Sequence, residues 1–277
     1  MPLSVDVICS HPSFLPSLAY YGEALAEVYH TNQRLGANLA SQRRWLISQT
    51  ALALYWGDEG GLTVNRLIEV LTPYKVASPN TIRAFINESV QYGFIEVDPD
   101  SRRIRPRYWK PTEIVKTALI EWVGLNLAML DGIDGRNRAS VLTQRPDIVF
   151  SLQPRLAWNC LNDPAWREPP PRVALLQNTI SGGMVMDHIV SQIGAGTPQG
   201  ERYLIPPINA RRLSERIFIS RTHLQRILNK AIEIGVLGWS RRPFESEMCI
   251  DRLFIEEYCR WQAVKSHHID EAFAHFA

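Results

Sequence analysis

Apolar residues recur at helical spacing over most of this 277-residue chain, with two short β-prone interruptions. Leu15 to Leu35 reads as one helix and Ser41 to Trp56 as a second. In the second, Trp45, Leu46, Gln49, Leu52, Ala53 and Trp56 fall at the three- and four-residue steps that align side chains on one face. Gly57, Gly60 and Gly61 close it. Leu62 to Trp109 is a run of short segments, and Pro111-Thr112-Glu113 then opens a long apolar-periodic helix to about Leu130. A proline fits the first helical turn because the amide hydrogen it lacks has no helical acceptor there.

From Asp131 to Arg172 the pattern weakens. Gly132, Gly135, Pro146, Pro154, Pro164 and Pro169 to Pro171 are expected to break any long helix, while Trp158 and Trp166 imply packing. Periodicity returns from Val185 to Ile193, stops at Gly194-Ala-Gly-Thr-Pro198, and runs strongly from Ala210 to Leu237. Asp251 to Phe276 closes the chain as another long helix. The expected partition is an N-terminal segment and helix over 1–35, a first unit with its flanking helix over 36–135, a Pro-rich structured connector over 136–180, and a second unit with a C-terminal helix over 181–277.

The two units are related. Sliding the chain by 142 residues sets Ser78 over Ser220, Ile82 over Leu224, Phe85 over Ile227, Asn87 over Asn229, Val90 over Ile232 and Gly93 over Gly235. Each serine is an N-cap whose hydroxyl satisfies a free amide of the first turn. Each glycine stops the helix where a left-handed conformation costs little. Phe94 to Val97 and Val236 to Trp239 follow as β-prone segments, then the charged turns Asp98 to Arg103 and Ser240 to Pro243, and a return strand. Short helices starting at Arg66-Leu67 and Arg212-Leu213 precede the capped ones, with four extra residues around Pro73 to Lys75 in the first copy.

This order of helix, turn, capped helix ending in glycine and basic hairpin resembles the winged helix-turn-helix domains of bacterial regulators, including the MarR and GntR types. The segment Ile219 to Gly238 carries most of the resemblance, which covers about Leu62 to Lys110 and Pro206 to Ile255. It implies a mainly α fold with small β wings: tandem winged helix-turn-helix domains with long flanking helices and recognition helices over 78–93 and 220–235. Two such domains in one chain also resemble plasmid replication initiators. Winged helices reused as protein-interaction scaffolds without DNA binding are a third reading.

Helical spacing separates the faces. In the second copy Leu224, Ile227, Leu228, Ala231 and Ile234 form the apolar side, and Arg221, Thr222, Gln225, Arg226, Asn229 and Lys230 the opposite one. Arginine can grip guanine, glutamine and asparagine can pair with adenine, and threonine and lysine can hold phosphates. The outward face of the first copy is Asn80, Thr81, Arg83, Ala84 and Asn87, and its wing carries Arg102, Arg103, Arg105, Arg107 and Lys110. Wing arginines, Arg241 and Arg242 in the second copy, suit a narrow minor groove, where negative potential concentrates.

Composition changes this picture little. A net charge of +2 leans only weakly toward a polyanionic partner, but Glu201 to Arg242 holds nine Lys or Arg against three acidic residues. Cys9, Cys160, Cys249 and Cys259 are scattered, with no zinc spacing, and fit a reducing cytoplasm. No stretch reads as a signal peptide or spanning helix, so a cytoplasmic protein is expected. His267-His268 and His275 lack an acidic or cysteine partner at a coordinating step, and no metal or cofactor is expected. Gly194 to Gly200 misses both nucleotide-binding glycine patterns, and Ser181-Gly182-Gly183 lacks the nucleophile-elbow order, so no enzyme is expected. The tryptophans read first as core and second as the lining of an effector pocket. The expected partners are double-stranded DNA and a second copy of the chain, met through the long helices 112–130 and 251–276.

Overall fold

The structure, a computed structural model, describes residues 1–31, 33–39, 41–57, 60–101, 106–193 and 198–276. The first stretch of helices is α1 (Val5–Ser10), α2 (Phe14–Thr31), α3 (Gln33–Leu39), α4 (Gln42–Trp56), α5 (Val64–Leu71) and α6 (Pro79–Gln91). Strands β1 (Ile95–Val97) and β2 (Trp109–Pro111) lead to α7 (Glu113–Asp134), α8 (Arg138–Gln144), α9 (Ile148–Asn162), α10 (Pro164–Arg167), α11 (Pro171–Gln177) and α12 (Gly182–Ile193). The chain ends with β3 (Arg202–Ile205), α13 (Ala210–Arg216), α14 (Arg221–Glu233), β4 (Leu237–Trp239), β5 (Met248–Asp251) and α15 (Arg252–Phe273). The fold is mainly helical, with two small antiparallel sheets among the described residues. Among the described residues no helix is long and apolar enough to cross a membrane.

One apolar core runs through α1, α2, α4, α7, α9, α12 and α15 and continues into both sheets. Helix α4 is enclosed on more than its expected face: Ile47, Thr50, Ala51 and Leu54 are buried together with Trp45, Leu46, Gln49, Leu52 and Ala53. Its neighbour is α9, whose Gln153 amide donates to the Gln49 carbonyl at 2.8 Å. Trp166 stacks on Trp261 with ring centroids 4.2 Å apart and meets Trp45 edge-on, so these tryptophans are core. Against them lies Lys265, buried, with Nζ 4.6 Å from the Tyr21 ring centre and the Trp122 and Trp166 rings just beyond. Burial lowers the Lys265 ammonium to about 8, against the pull of nearby Asp187.

Several expected boundaries move. The described residues of the helix expected from Leu15 to Leu35 are helical, in α2 and α3. The helix expected to end near Leu130 runs on through Gly132 to Asp134 and stops at Gly135, whose φ of 72° is the left-handed cap. The prolines of 136–180 do not prevent helices. Pro164 and Pro171 occupy first turns, and Pro154 is carried inside α9, where the burial of Ile148, Val149, Leu152, Leu156 and Leu161 offsets the lost backbone bond. This segment is therefore part of the core.

Candidate nucleic-acid interface

The sequence repeat reappears as a repeat of topology. In the first copy α4 precedes Leu62, which bridges Trp109 of β2, and β2 pairs with β1. In the second α12 precedes β3, which pairs with β5, and β5 pairs with β4. All these pairings are antiparallel, and two helices, α5 and α6 or α13 and α14, lie between the first and second strand positions. A 22-residue helix follows each copy, α7 or α15.

The capped helices match closely. Ser78 Oγ accepts the Thr81 amide at 3.2 Å, and Ser220 Oγ accepts the His223 amide at 3.1 Å. At the other end Gly93 and Gly235 have φ of 69° and 76°. The next amides reach back alike, Phe94 to the Ser89 carbonyl at 2.8 Å and Val236 to the Ala231 carbonyl at 3.0 Å, consuming carbonyls that the helix end leaves free. Because one side-chain acceptor carries each cap, Ser220→Ala is expected to lower stability by about 1 kcal/mol, read as a shift in denaturant midpoint at unchanged slope.

Helix α14 buries Leu224, Ile227, Leu228 and Ala231 against α13, α11 and β4. Ile234, expected on that face, is 51% exposed, because it lies past the last helical turn as the C-cap. Arg221, Thr222, Arg226, Asn229 and Lys230 are exposed and Gln225 is half-buried, its amide donating to Asn229 Oδ1 at 2.7 Å. That bond ties together two side chains able to read adenine.

Ion pairs, two of them local and one tertiary, sort the nine basic residues of 201–242. Arg211 binds Glu215 at 2.9 Å, Arg216 binds Glu23 of α2 at 2.5 Å, and Arg242 meets Glu245 at 3.6 Å. The other six, Arg202, Arg212, Arg221, Arg226, Lys230 and Arg241, have no ion-pair partner among the described residues, so the outward face of α14 and the nearby hairpin keep their charge. The Arg216 contact fastens α13 to the helical body. Burial alone would raise the Glu23 carboxyl, but hydrogen bonds from Arg216 and Ser191 bring it below the usual carboxylate range.

The β4–β5 hairpin is internally braced. The Arg241 amide donates to Ser246 Oγ at 3.0 Å, that hydroxyl donates to the Arg242 carbonyl at 2.8 Å, and Phe244 packs on Trp239. Arg241 and Arg242 are exposed at its tip.

In the first copy Asn80, Thr81, Arg83, Ala84 and Asn87 are exposed on α6, while Ile82, Phe85, Ile86 and Ser89 are buried. Arg44 of α4 pins the far side of this helix through Glu88 at 2.6 Å. Arg102, Arg103 and Arg105 lie outside the described residues, as do Gly194 to Thr197. Arg107 is exposed, and Lys110 pairs with Glu96 across the hairpin at 3.2 Å.

Two features escaped sequence reasoning. One is the buried Arg138 bound to Asp131, Asp134 and Asp270. The spacing of Asp131, Asp134 and Arg138 hinted at a local pair, but Asp270 is brought there only by tertiary packing. The other corrects the reading of the histidines: an acidic partner does stand at a coordinating step, since Glu271 lies with His267 and His268 such that one ligand atom from each falls within 4.8 Å of the others.

The long helices α7 and α15 pack on each other within the chain. Fifteen of the 22 residues of α15 are buried, leaving Arg252, Leu253, Glu256 and Arg260 as the exposed part of its first half. Comparison with protein-family models, with curated proteins and with solved structures finds no match for this chain.

Proposed function

We propose that this chain is a double-stranded-DNA-binding regulator built from two winged helix-turn-helix modules on one helical body, acting in the cytoplasm without catalysis. The observation that carries the reading is the repetition, at matching spacing, of a capped helix whose inner face is buried and whose outer face is exposed and, in α14, basic and unpaired. A helix of this kind fits the major groove, with the hairpin arginines against the flanking backbone or minor groove. Arg221, Thr222, Gln225, Arg226, Asn229 and Lys230 are the reading set of the second module, with Arg241 and Arg242 on its wing. Asn80, Thr81, Arg83 and Asn87 are the corresponding set of the first, with Arg102, Arg103 and Arg105 on its wing.

Because both modules share one core, a single chain can meet two half-sites whose separation the body fixes. A homodimer formed through the long helices would use the exposed residues of α7, such as Ile114, Thr117 and Glu121, since α15 is mostly enclosed. The two-headed arrangement also suits an initiator that binds repeated sites at an origin.

Fluorescence anisotropy of the purified chain against random duplex DNA at several salt concentrations, followed by selection from a random library, tests the proposal. Binding is expected to weaken steeply with salt, and the library to yield a motif with two related halves. Tandem repeats of one short site would favour the initiator. Absence of binding at low salt would sink the DNA reading and leave the interaction scaffold.

A further inference from the structure

The C-terminal half of α15 carries a side-chain cluster that the DNA reading does not use. His267 and His268 are adjacent in sequence, yet their rings approach to 5.4 Å between centroids, and Glu271 stands one turn further along the same helix. One ligand atom from each of the three lies within 4.8 Å of the others. His268 is 9% exposed, and its Nδ1 is buried without a hydrogen-bond partner among the described residues, 3.8 Å from Glu271 Oε2. Leaving a buried ring nitrogen unsatisfied is costly, so its orientation toward the carboxylate calls for a third participant.

Each of the three groups also has a second partner. His268 Nε2 binds the Asp163 carboxylate at 2.9 Å. His267 Nδ1 faces the Leu3 carbonyl at 2.8 Å, where it can only donate, so that in the neutral ring the lone pair is on Nε2. The Asn159 amide donates to Glu271 Oε2 at 2.8 Å. A carboxylate or backbone carbonyl on one nitrogen of each histidine, with a hydrogen-bonded acidic group beside them, is the kind of outer arrangement that fixes tautomers and raises ligand basicity at protein metal sites.

We propose that His267, His268 and Glu271 form a binding site for a divalent first-row transition-metal ion, zinc being the best fit to two imidazoles and one carboxylate, with a fourth position left to water. Metal–ligand bonds of about 2.0–2.2 Å put tetrahedral ligand atoms roughly 3.4 Å apart, so the cluster closes by about an ångström as it binds. Glu271 is half-exposed and able to make that adjustment. Two carboxylates, Asp163 and Glu271, flank the histidines and supply charge suited to a dication. Through the residues behind its ligands the ion would tie the N-terminal segment at Leu3, the end of α9 and the C-terminal half of α15 into one unit. The inference stands apart from the DNA reading and does not depend on it.

The experiment is a titration of the full chain, first stripped with a chelator, with ZnCl2 by calorimetry and with CoCl2 by visible absorption. The expected result is one zinc per chain, a cobalt band of low-symmetry intensity, and a rise in melting temperature of about 5 °C at a hundredfold excess over Kd. His267→Gln and His268→Ala should each weaken zinc binding by at least tenfold and abolish the cobalt band. Glu271→Gln keeps the helix and an acceptor for Asn159, so it separates lost ligation from lost folding. Its circular dichroism should match the parent while its zinc affinity falls. Absence of stoichiometric binding, or zinc held equally well by all three variants and therefore by other surface groups, overturns the assignment.

Discussion

Arg138→Ala is expected to cost about 3–5 kcal/mol of stability, which is the range for removing one partner of a buried ion cluster. Arg138 is 4% exposed and Asp270 1% exposed. The guanidinium donates from Nε to Asp270 at 2.8 Å, from Nη1 to Asp131 at 3.0 Å, and from Nη2 to Asp134 at 2.7 Å. Burial works against its charge, yet the hydrogen bonds to Asp134, Asp270 and Asp131 more than restore it, and its pKa is raised. Asp270 also accepts the Leu3 amide at 2.7 Å, so the cluster joins the start of the chain to its last helix through α8. Alanine would remove the cation that three carboxylates share, leaving Asp134 with Arg136 at 3.2 Å and taking from Asp131 and Asp270 the guanidinium that holds them together. The double variant Arg138→Met with Asp270→Asn should lose less than the sum of the single losses, because the two side chains share one interaction. Denaturant melts give both quantities, and a single-variant loss under about 1 kcal/mol would contradict this account of the cluster.

The same cluster sets an acid dependence. Hydrogen bonds from Arg138 hold the Asp134 carboxyl below its ordinary value, against a burial effect of opposite sign. A depressed acid stabilises the fold fully above its unfolded pKa, about 3.9, and loses that contribution as pH falls through the lower folded value. In Arg138→Ala the order reverses, because protonating a stranded carboxylate relieves repulsion. The stability gap between the two proteins should therefore narrow as the pH is lowered.

How much of this was legible in the sequence depends on the range of the interaction. Ser78, Ser220, Gly93 and Gly235 act within a few residues of themselves, so caps and helix ends follow directly from residue type. The exposed set on α14 follows from helical period alone. The prolines of 136–180 do not act as their local preference for breaking a helix predicts, because that preference yields where an apolar face such as that of α9 is buried on both α4 and α15. Groups whose partners lie more than a hundred residues away, Asp270 with Arg138 or Asp163 with His268, have no local signature. The same limit applies to charge: counting nine basic residues in 201–242 did not reveal that Arg216 is spent on Glu23 while Arg226 is free to meet a ligand.

That distinction makes the strongest functional prediction. The triple variant Arg221→Ala, Arg226→Ala, Lys230→Ala is expected to weaken DNA binding by a hundredfold or more, taking about 1–3 kcal/mol for each lost contact. If all three neutralise phosphates, the slope of log K against log salt falls by about 2.7. A smaller change in slope with the same loss of affinity would identify some of them as base readers, whose removal erodes discrimination instead. Arg226→Ala alone should then lower preference for the selected site by about 1–3 kcal/mol, as should Gln225→Ala, whose amide is already oriented by Asn229. The matched variant Asn80→Ala, Arg83→Ala, Asn87→Ala removes one cation where the α14 variant removes three, so its effect on the salt slope should be about a third as large. Arg83 and Asn87 share one helix face and are both exposed, and Gln225 and Asn229 share the matching face of α14, Gln225 half-buried and Asn229 exposed. A loss of specific affinity in the α6 variant comparable to that in the α14 variant would therefore mean that both modules read bases, and an unchanged affinity would mean that the first serves the second as a scaffold.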